Sequence, residues 1–289
     1  MNLVNGDTMT EEKNIEVAQN QKRINRLIDE LTLFDDDLMS RVFDQNIKAT
    51  ELVLRIILGR RVKVISVNGQ EELKSAEVGG RSITLDVHAV DEKGEEMNIE
   101  VQGNSEGAHI KRARYHSSTL DTRMLKEGQG FKELKDSYVI FIYRHDKFQK
   151  SLPVYHIDRY VRETGERFED GSHILYVNGN YKEDDEIGHL MRDFHERDPK
   201  NMYYQELSQG VKHFKEVEGG RDTMCEAVEE YAKEYAKEYA SEQQVKNVKK
   251  LMKNMNFTME QALDALEIQG EERTLIIKQL QKSQDDLPK

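Results

Sequence analysis

Cysteine is almost absent: the single Cys225 can form no internal disulfide and no cysteine-based zinc site, which points to a reducing cytoplasmic compartment. There is no Trp and there are only 3 Pro, so little in the composition breaks helices. The longest apolar runs, Ile56 to Leu58 and Val139 to Ile142, fall far short of the roughly 18 residues of a membrane span. The first residues, MNLVNGDTMTEEKN, carry neither a basic stretch nor an apolar stretch of the kind an export signal uses. Net positive charge is also missing. Lys and Arg number 43 against 55 Asp and Glu, a formal balance of −12, which opposes retention of nucleic acid by bulk charge but leaves carboxylates to spare for a metal site.

What is present reads as a helix-rich chain with one α/β core. Residues 1–30 read as a polar stretch, either a loosely attached leader or a peripheral helix, 31–220 as the principal domain and 221–289 as a helical tail. Ile47, Leu52, Val53, Leu54, Ile56, Ile57 and Leu58 predict a core helix that Gly59 ends as its C-cap. Val62 to Val67 predicts a strand closed by an Asn68-Gly69 turn. Tyr138 to Tyr143 reads as a buried strand, Val154 to Val161 and Ile174 to Val177 as shorter ones, and 184–197 and 203–217 as helices.

The informative stretch begins at Ser82. Ile83, Leu85, Val87 and Ala89 alternate with Ser82, Thr84, Asp86 and His88, and Met97, Ile99 and Val101 alternate with Asn98, Glu100 and Gln102. If Glu92-Lys93-Gly94 is a three-residue loop with Gly94 left-handed, Asp91 faces Glu95 and Asp86 faces Glu100. Two carboxylates so placed lie about 5 Å apart at Cβ and repel, so a shared proton or a divalent cation must offset them unless water does. The helix expected over 105–127 carries, within 109–126, Lys111, Arg112, Arg114, Arg123 and Lys126 against one acid, Asp121. In the tail, Tyr231, Tyr235 and Tyr239 recur every four residues on a long helix, a stripe suited to self-association, and Thr258 with Gln261 forms a capping box.

Leu85-Asp86-Val87 followed by Ile99-Glu100-Val101-Gln102 resembles the D-x(n)-E-x-K core of PD-(D/E)XK nucleases, and more narrowly the PD-(D/E)XK nuclease family transposases. Phe34-Asp35-Asp36-Asp37, Val42-Phe43 and Glu51-Leu52-Val53-Leu54 match that family's N-terminal pattern. Arg112, Arg114, Tyr115 and His116 match its basic and aromatic helix, and Leu125-Lys126-Glu127-Gly128 the block after it. Two departures stand out: no Pro precedes Asp86, and Gln102 replaces the usual lysine, so it cannot serve as a cation.

The resemblance implies a restriction-endonuclease-like core of αβββαβ order, a mixed sheet flanked by helices, with a helical C-terminal extension. It implies a metal-dependent DNA endonuclease of mobile-element type, with Asp86, Glu100 and Gln102 catalytic. Glu51, Asp86, Glu100 and the Val101 carbonyl would bind Mg²⁺, or Mn²⁺ or Ca²⁺ in its place, and Lys111, Arg112, Arg114, Tyr115 and His116 would hold DNA. His88 is a candidate supporting group beside Asp86, and Asp35 and Asp36 are candidate N-caps. Two other readings remain open: a degenerate nuclease fold kept for binding or oligomerisation through the C-terminal helix, and an RNA-directed toxin or defence nuclease.

Overall fold

The computed structural model describes residues 19, 21–74, 79–103 and 109–285. Contacts divide the chain into two compact units, Met1–Cys225 and Glu226–Lys289. Among the described residues no helix is long and apolar enough to cross a membrane.

The first unit is a mixed six-stranded sheet flanked by helices, an α/β fold of the PD-(D/E)XK restriction-endonuclease-like type. Residues 21–30 form helix α1. Then come α2 (Asp36–Phe43), α3 (Ile47–Leu58), β1 (Val64–Leu73), β2 (Ile83–Asp91), β3 (Glu96–Gln102), α4 (Ile110–Met124), β4 (Ser137–Tyr143), β5 (Val154–Ile157), β6 (Ser172–Asn178), α5 (Glu186–His195) and α6 (Gln205–Glu216). The sheet order is β1-β2-β3-β4-β6-β5. β3, β4 and β6 run parallel, and β2 and β1 continue antiparallel from β3. The ends of β3, β4 and β6 and the start of β2 therefore share one edge.

Local chemistry explains the ends of these elements. The Asn46 side chain accepts from the Ala49 amide and starts α3, which Gly59 closes at φ 64°. The hairpin from β2 to β3 has the register that its loop demands: Val87 faces Ile99, His88 faces Asn98 and Ala89 faces Met97. The Asp91 amide donates to the Glu95 carbonyl at 3.1 Å, and Gly94 sits at φ 78°.

Three expectations are corrected. The Asn68-Gly69 pair does not close a strand, because β1 runs through it to Leu73. Gly69 is there for close approach: a Cβ would strike the Ser40 carbonyl oxygen, and its amide donates to Asp44 Oδ1 at 3.0 Å, so the end of α2 rests on β1. Residues 21–30 are not a loose leader. Ile24 and Ile28 are buried, and Lys215 Nζ donates to the carbonyls of Asp29, Leu31 and Arg197, giving all three ammonium protons an acceptor. Finally, the alternation in β2 does not continue unbroken. The β1–β2 ladder skips Gln70 and Asp86, with Gln70 at φ 52°, and Ile83 and Leu85 pack with Ala113, Leu120, Val139 and Phe141 beneath α4.

α7 (Glu218–Met255) leads into the second unit, where α8 (Met259–Ala265) and α9 (Gly270–Asp285) complete it. Its core is Val248, Ala262, Leu263, Ile268, Ile276 and Leu280. The Gln261 amide donates to the Thr258 hydroxyl at 3.2 Å, and the Thr258 amide to Gln261 Oε1 at 2.9 Å, so the expected box is formed. The start of the expected 105–127 helix and the side chains of Tyr231, Tyr235 and Tyr239 lie outside the described residues.

Candidate active site

Asp86 and Glu100 come together on β2 and β3, and both are buried, Glu100 completely. The polar ladder of the hairpin is thus a covered face rather than a solvated one. Asp86 Oδ2 accepts from the Val101 amide at 2.9 Å, while Glu100 Oε1 lies 3.4 Å from the Asp86 amide nitrogen and accepts from Asn98 Nδ2 at 2.9 Å. The remaining partners come from α4. Arg112 Nη2 donates to Glu100 Oε2 at 2.6 Å, Arg112 Nη1 to Gln102 Oε1 at 3.4 Å, and Arg112 Nε to His116 Nε2 at 3.4 Å. His116 Nδ1 is 3.4 Å from Glu100 Oε1 and 3.1 Å from Asn98 Nδ2. Arg112 and His116 are one helical turn apart, which puts both on the face of α4 that meets the sheet.

A third carboxylate, on an exposed residue, feels the charges of this pair without touching it. Asp36, the first residue of α2, is driven up to about 6 by partial desolvation, then by the charges of Asp37 and Glu100, against the pull of Arg112. Burial also lifts Asp86 well above the carboxylate range, with Glu100 and Asp36 adding to it and the Val101 amide and Arg112 opposing. Glu100 moves the other way. Burial favours its neutral form, but His116, Arg112 and Asn98 outweigh this and hold it ionised. One acid is held as an anion while its neighbours resist ionising, the usual outcome where carboxylates crowd together.

Asp86 opens onto a cleft of about 640 Å³ lined also by Arg81, Ser82, Thr84, Lys111, Arg112 and Tyr115. Tyr115 donates its hydroxyl to the Arg81 carbonyl at 2.7 Å and closes one wall. A buried acid at the floor and cations at the rim suit a polyanion whose backbone is held while one phosphate approaches the carboxylates.

Not every expected residue is brought here. Glu51 accepts from the Val64 amide at 3.0 Å, at the opposite end of the hairpin from Asp86, and lines a separate pocket with Lys48 and Arg55. Its carboxylate fixes the start of β1. Arg114 lies two residues from Arg112, about 200° around the helix, and does not line the cleft. His116 does line the cleft, but it is only 3% exposed and its ring nitrogens face Glu100, Asn98 and Arg112. Gln102 touches Arg112 rather than either acid, and the Val101 amide, not yet its carbonyl, is what engages Asp86. His88 bridges Glu71 and Glu96, at 2.8 and 3.1 Å, instead of standing beside Asp86.

Sequence reasoning missed Asp36 and Arg81. Asp35, not Asp36, occupies the N-cap position, yet its carboxylate accepts from the Thr32 amide and hydroxyl at 2.7 and 2.9 Å and caps nothing. The acidic triplet 35–37 was the visible signal; Asp36 is the exposed member of the three, while Asp35 is taken up by the Thr32 turn. Arg81 lies two residues before β2, and its carbonyl is held by the Tyr115 hydroxyl at the cleft wall.

Among the described residues no group of three or more His, Cys, Asp or Glu is arranged to hold a metal ion. The donor set nevertheless fits a hard divalent cation: the carboxylates of Asp86 and Glu100 are oxygen ligands on adjacent strands whose repulsion a cation would relieve. Arg112 supplies part of that positive charge here. No curated protein and no solved structure matches the chain. A family model does match, over residues 44–186, from the helix before the sheet to the start of α5 and including both Asp86 and Glu100. That segment belongs to the PD-(D/E)XK nuclease family transposases.

Proposed function

We propose that the chain is a metal-dependent DNA endonuclease, with Asp86 and Glu100 holding a divalent cation, Mg²⁺ or Mn²⁺, together with the Val101 carbonyl. The observation that carries this reading is the pair of buried carboxylates on adjacent strands, Asp86 at the wall of a cleft rimmed by Arg81, Lys111 and Arg112 and Glu100 behind it. Asp36 adds negative charge to the same place. When bound, the cation neutralises the attacked phosphate and lowers the pKa of the attacking water.

The chain's own residues do the rest. Lys111, Arg81 and Tyr115 line the cleft where a backbone would lie, and Arg112 is within reach of both Glu100 and the cleft. Gln102 and His116 fix where the Arg112 guanidinium points. With no lysine in the E-x-K position, Arg112 is the cation available to the transferring phosphate, and its planar fork suits two phosphate oxygens.

One observation favours a second reading. Arg112 already satisfies Glu100 at 2.6 Å, as in a nuclease fold that has lost its metal and is kept as a binding module. Calorimetric titration of Mg²⁺ and Mn²⁺ separates the two: binding in wild type that is lost in Glu100→Gln supports the endonuclease, and no heat at millimolar metal supports the binding module.

A further inference from the structure

The edge that carries the site is basic well beyond the α4 cleft. β4 ends in Tyr143 and runs on as Arg144, His145, Asp146 and Lys147, and β6 ends before Gly179 and Lys182. The one acid within 144–147 is consumed internally, and of the acids after Lys182, Asp184 pairs with His189 and Arg192, Asp185 caps α5 and Glu186 pairs with Arg55. Asp146 accepts from the amides of Phe148, Gln149 and Ser151 and from the Tyr155 hydroxyl, at 2.7 to 3.1 Å, and so pairs with no neighbouring cation. Among the described residues Arg144, Lys147 and Lys182 make no ion pair. Arg144, His145 and Lys182 lie close enough for their charges to act on His195.

The cluster is tied directly to the site. The Arg144 amide donates to the Gln102 carbonyl at 2.9 Å. The Arg144 guanidinium lies 5.1 Å over the Phe34 ring, two residues before Asp36. Lys147 Nζ lies 5.8 Å over the ring of Tyr143, which stands beside Gln102 in the sheet.

We propose that this edge, from Arg81 at the start of β2 to Lys182 after β6, is a track for the phosphate backbone of duplex DNA, with Arg144, Lys147 and Lys182 holding phosphates beyond the α4 cleft. This rests on the endonuclease reading and extends it to the path of the substrate. Strands lie about 4.8 Å apart, so β2 to β6 spans roughly 14 Å. That equals the rise of about four base pairs at 3.4 Å each, room for several phosphates of one strand. The carboxyl ends of parallel strands are also where open α/β sheets bind ligands.

The test is the salt dependence of duplex binding by the full-length protein in EDTA, where no cleavage intervenes. Each lost phosphate contact flattens the slope of log K against log salt by about 0.9. Lys147→Gln with Lys182→Gln, both on exposed or half-exposed side chains, should flatten it by about 2 and weaken binding roughly tenfold at low salt. Lys132→Gln, the same type of change at an exposed site away from the edge, should leave the slope alone. An unchanged slope in the double variant overturns the track and leaves the endonuclease reading to its own test. A slope change seen only with single-stranded RNA overturns the duplex assignment. Failure of wild type to bind duplex at low salt contradicts the endonuclease reading itself.

Discussion

Arg112 and Glu100 form an ion pair of 2.6 Å in which the carboxylate is wholly buried and the guanidinium is 36% exposed. The pair is asymmetric. Glu100 cannot leave, whereas Arg112 has the cleft beside it. A buried carboxylate that loses its partner is costly, about 3–5 kcal/mol, so whatever replaces Arg112 must be a cation.

Arg112→Gln should therefore lower thermal stability in EDTA and recover part of it when Mg²⁺ is added. Its divalent affinity should rise, because the competing guanidinium is gone, while plasmid nicking falls by about 10²–10³, the loss typical of removing one donor to a developing anion. Melting curves with and without metal, beside a nicking assay, measure all three. Loss of metal affinity together with activity would assign Arg112 to structure alone.

Asp36 carries a trade between stability and activity. Its folded pKa of about 6 is raised, so its contribution to stability is full below the unfolded value near 3.9 and is lost as pH rises through about 6. Asp36→Asn removes the charge without changing shape. It should raise the melting temperature by about 2–4 °C at pH 8, have little effect at pH 4, and reduce nicking by about 10–100-fold.

His88 gives a pH dependence of the same sign from a different cause. Burial works against its proton, but hydrogen bonds to Glu96 and Glu71 outweigh that and raise its pKa. Its stabilisation is complete below about 6.5 and fades as pH rises through the higher folded value. His88→Gln should cost about 1–3 kcal/mol at pH 5.5 and markedly less at pH 9, measured by urea unfolding at both.

Gly69→Ala tests the seat of α2 on β1. The added methyl meets the Ser40 carbonyl oxygen and lies 3.1 Å from the Asp44 Cβ, so strand and helix must separate. A loss of about 1–3 kcal/mol is expected, with nicking falling too, because α2 carries Asp36.

How much of this was legible in the sequence follows from the range of each cause. The register from Val87–Ile99 to Ala89–Met97 is local, since a Gly94 turn and a period of two set it, but the ladder stops short of Asp86, where the alternation breaks, so the meeting of Asp86 with Glu100 is not a simple ladder pair. The placement of Gly69 is not local. Asn-Gly is a turn signal by its own chemistry, and only the arrival of α2 makes the glycine a packing residue. Glu51 and Arg114 show the same limit, since a helix presents acids and bases all round and the sheet behind it decides which face counts. Burial of Asp86, Asn98 and Glu100 is likewise tertiary: alternation marks two faces but does not say that α4 covers the polar one.

The central claim is that Asp86 and Glu100 form a cation site that cuts DNA. The most direct measurement is nicking of supercoiled plasmid in Mg²⁺ or Mn²⁺ by wild type, Asp86→Asn and Glu100→Gln, each shown by circular dichroism to be folded. Wild type should nick only with metal, and both variants should lose at least about 10³ in rate, the scale set by losing the groups that stabilise a transition state. Metal-dependent nicking that persists at the wild-type rate in both folded variants would contradict it.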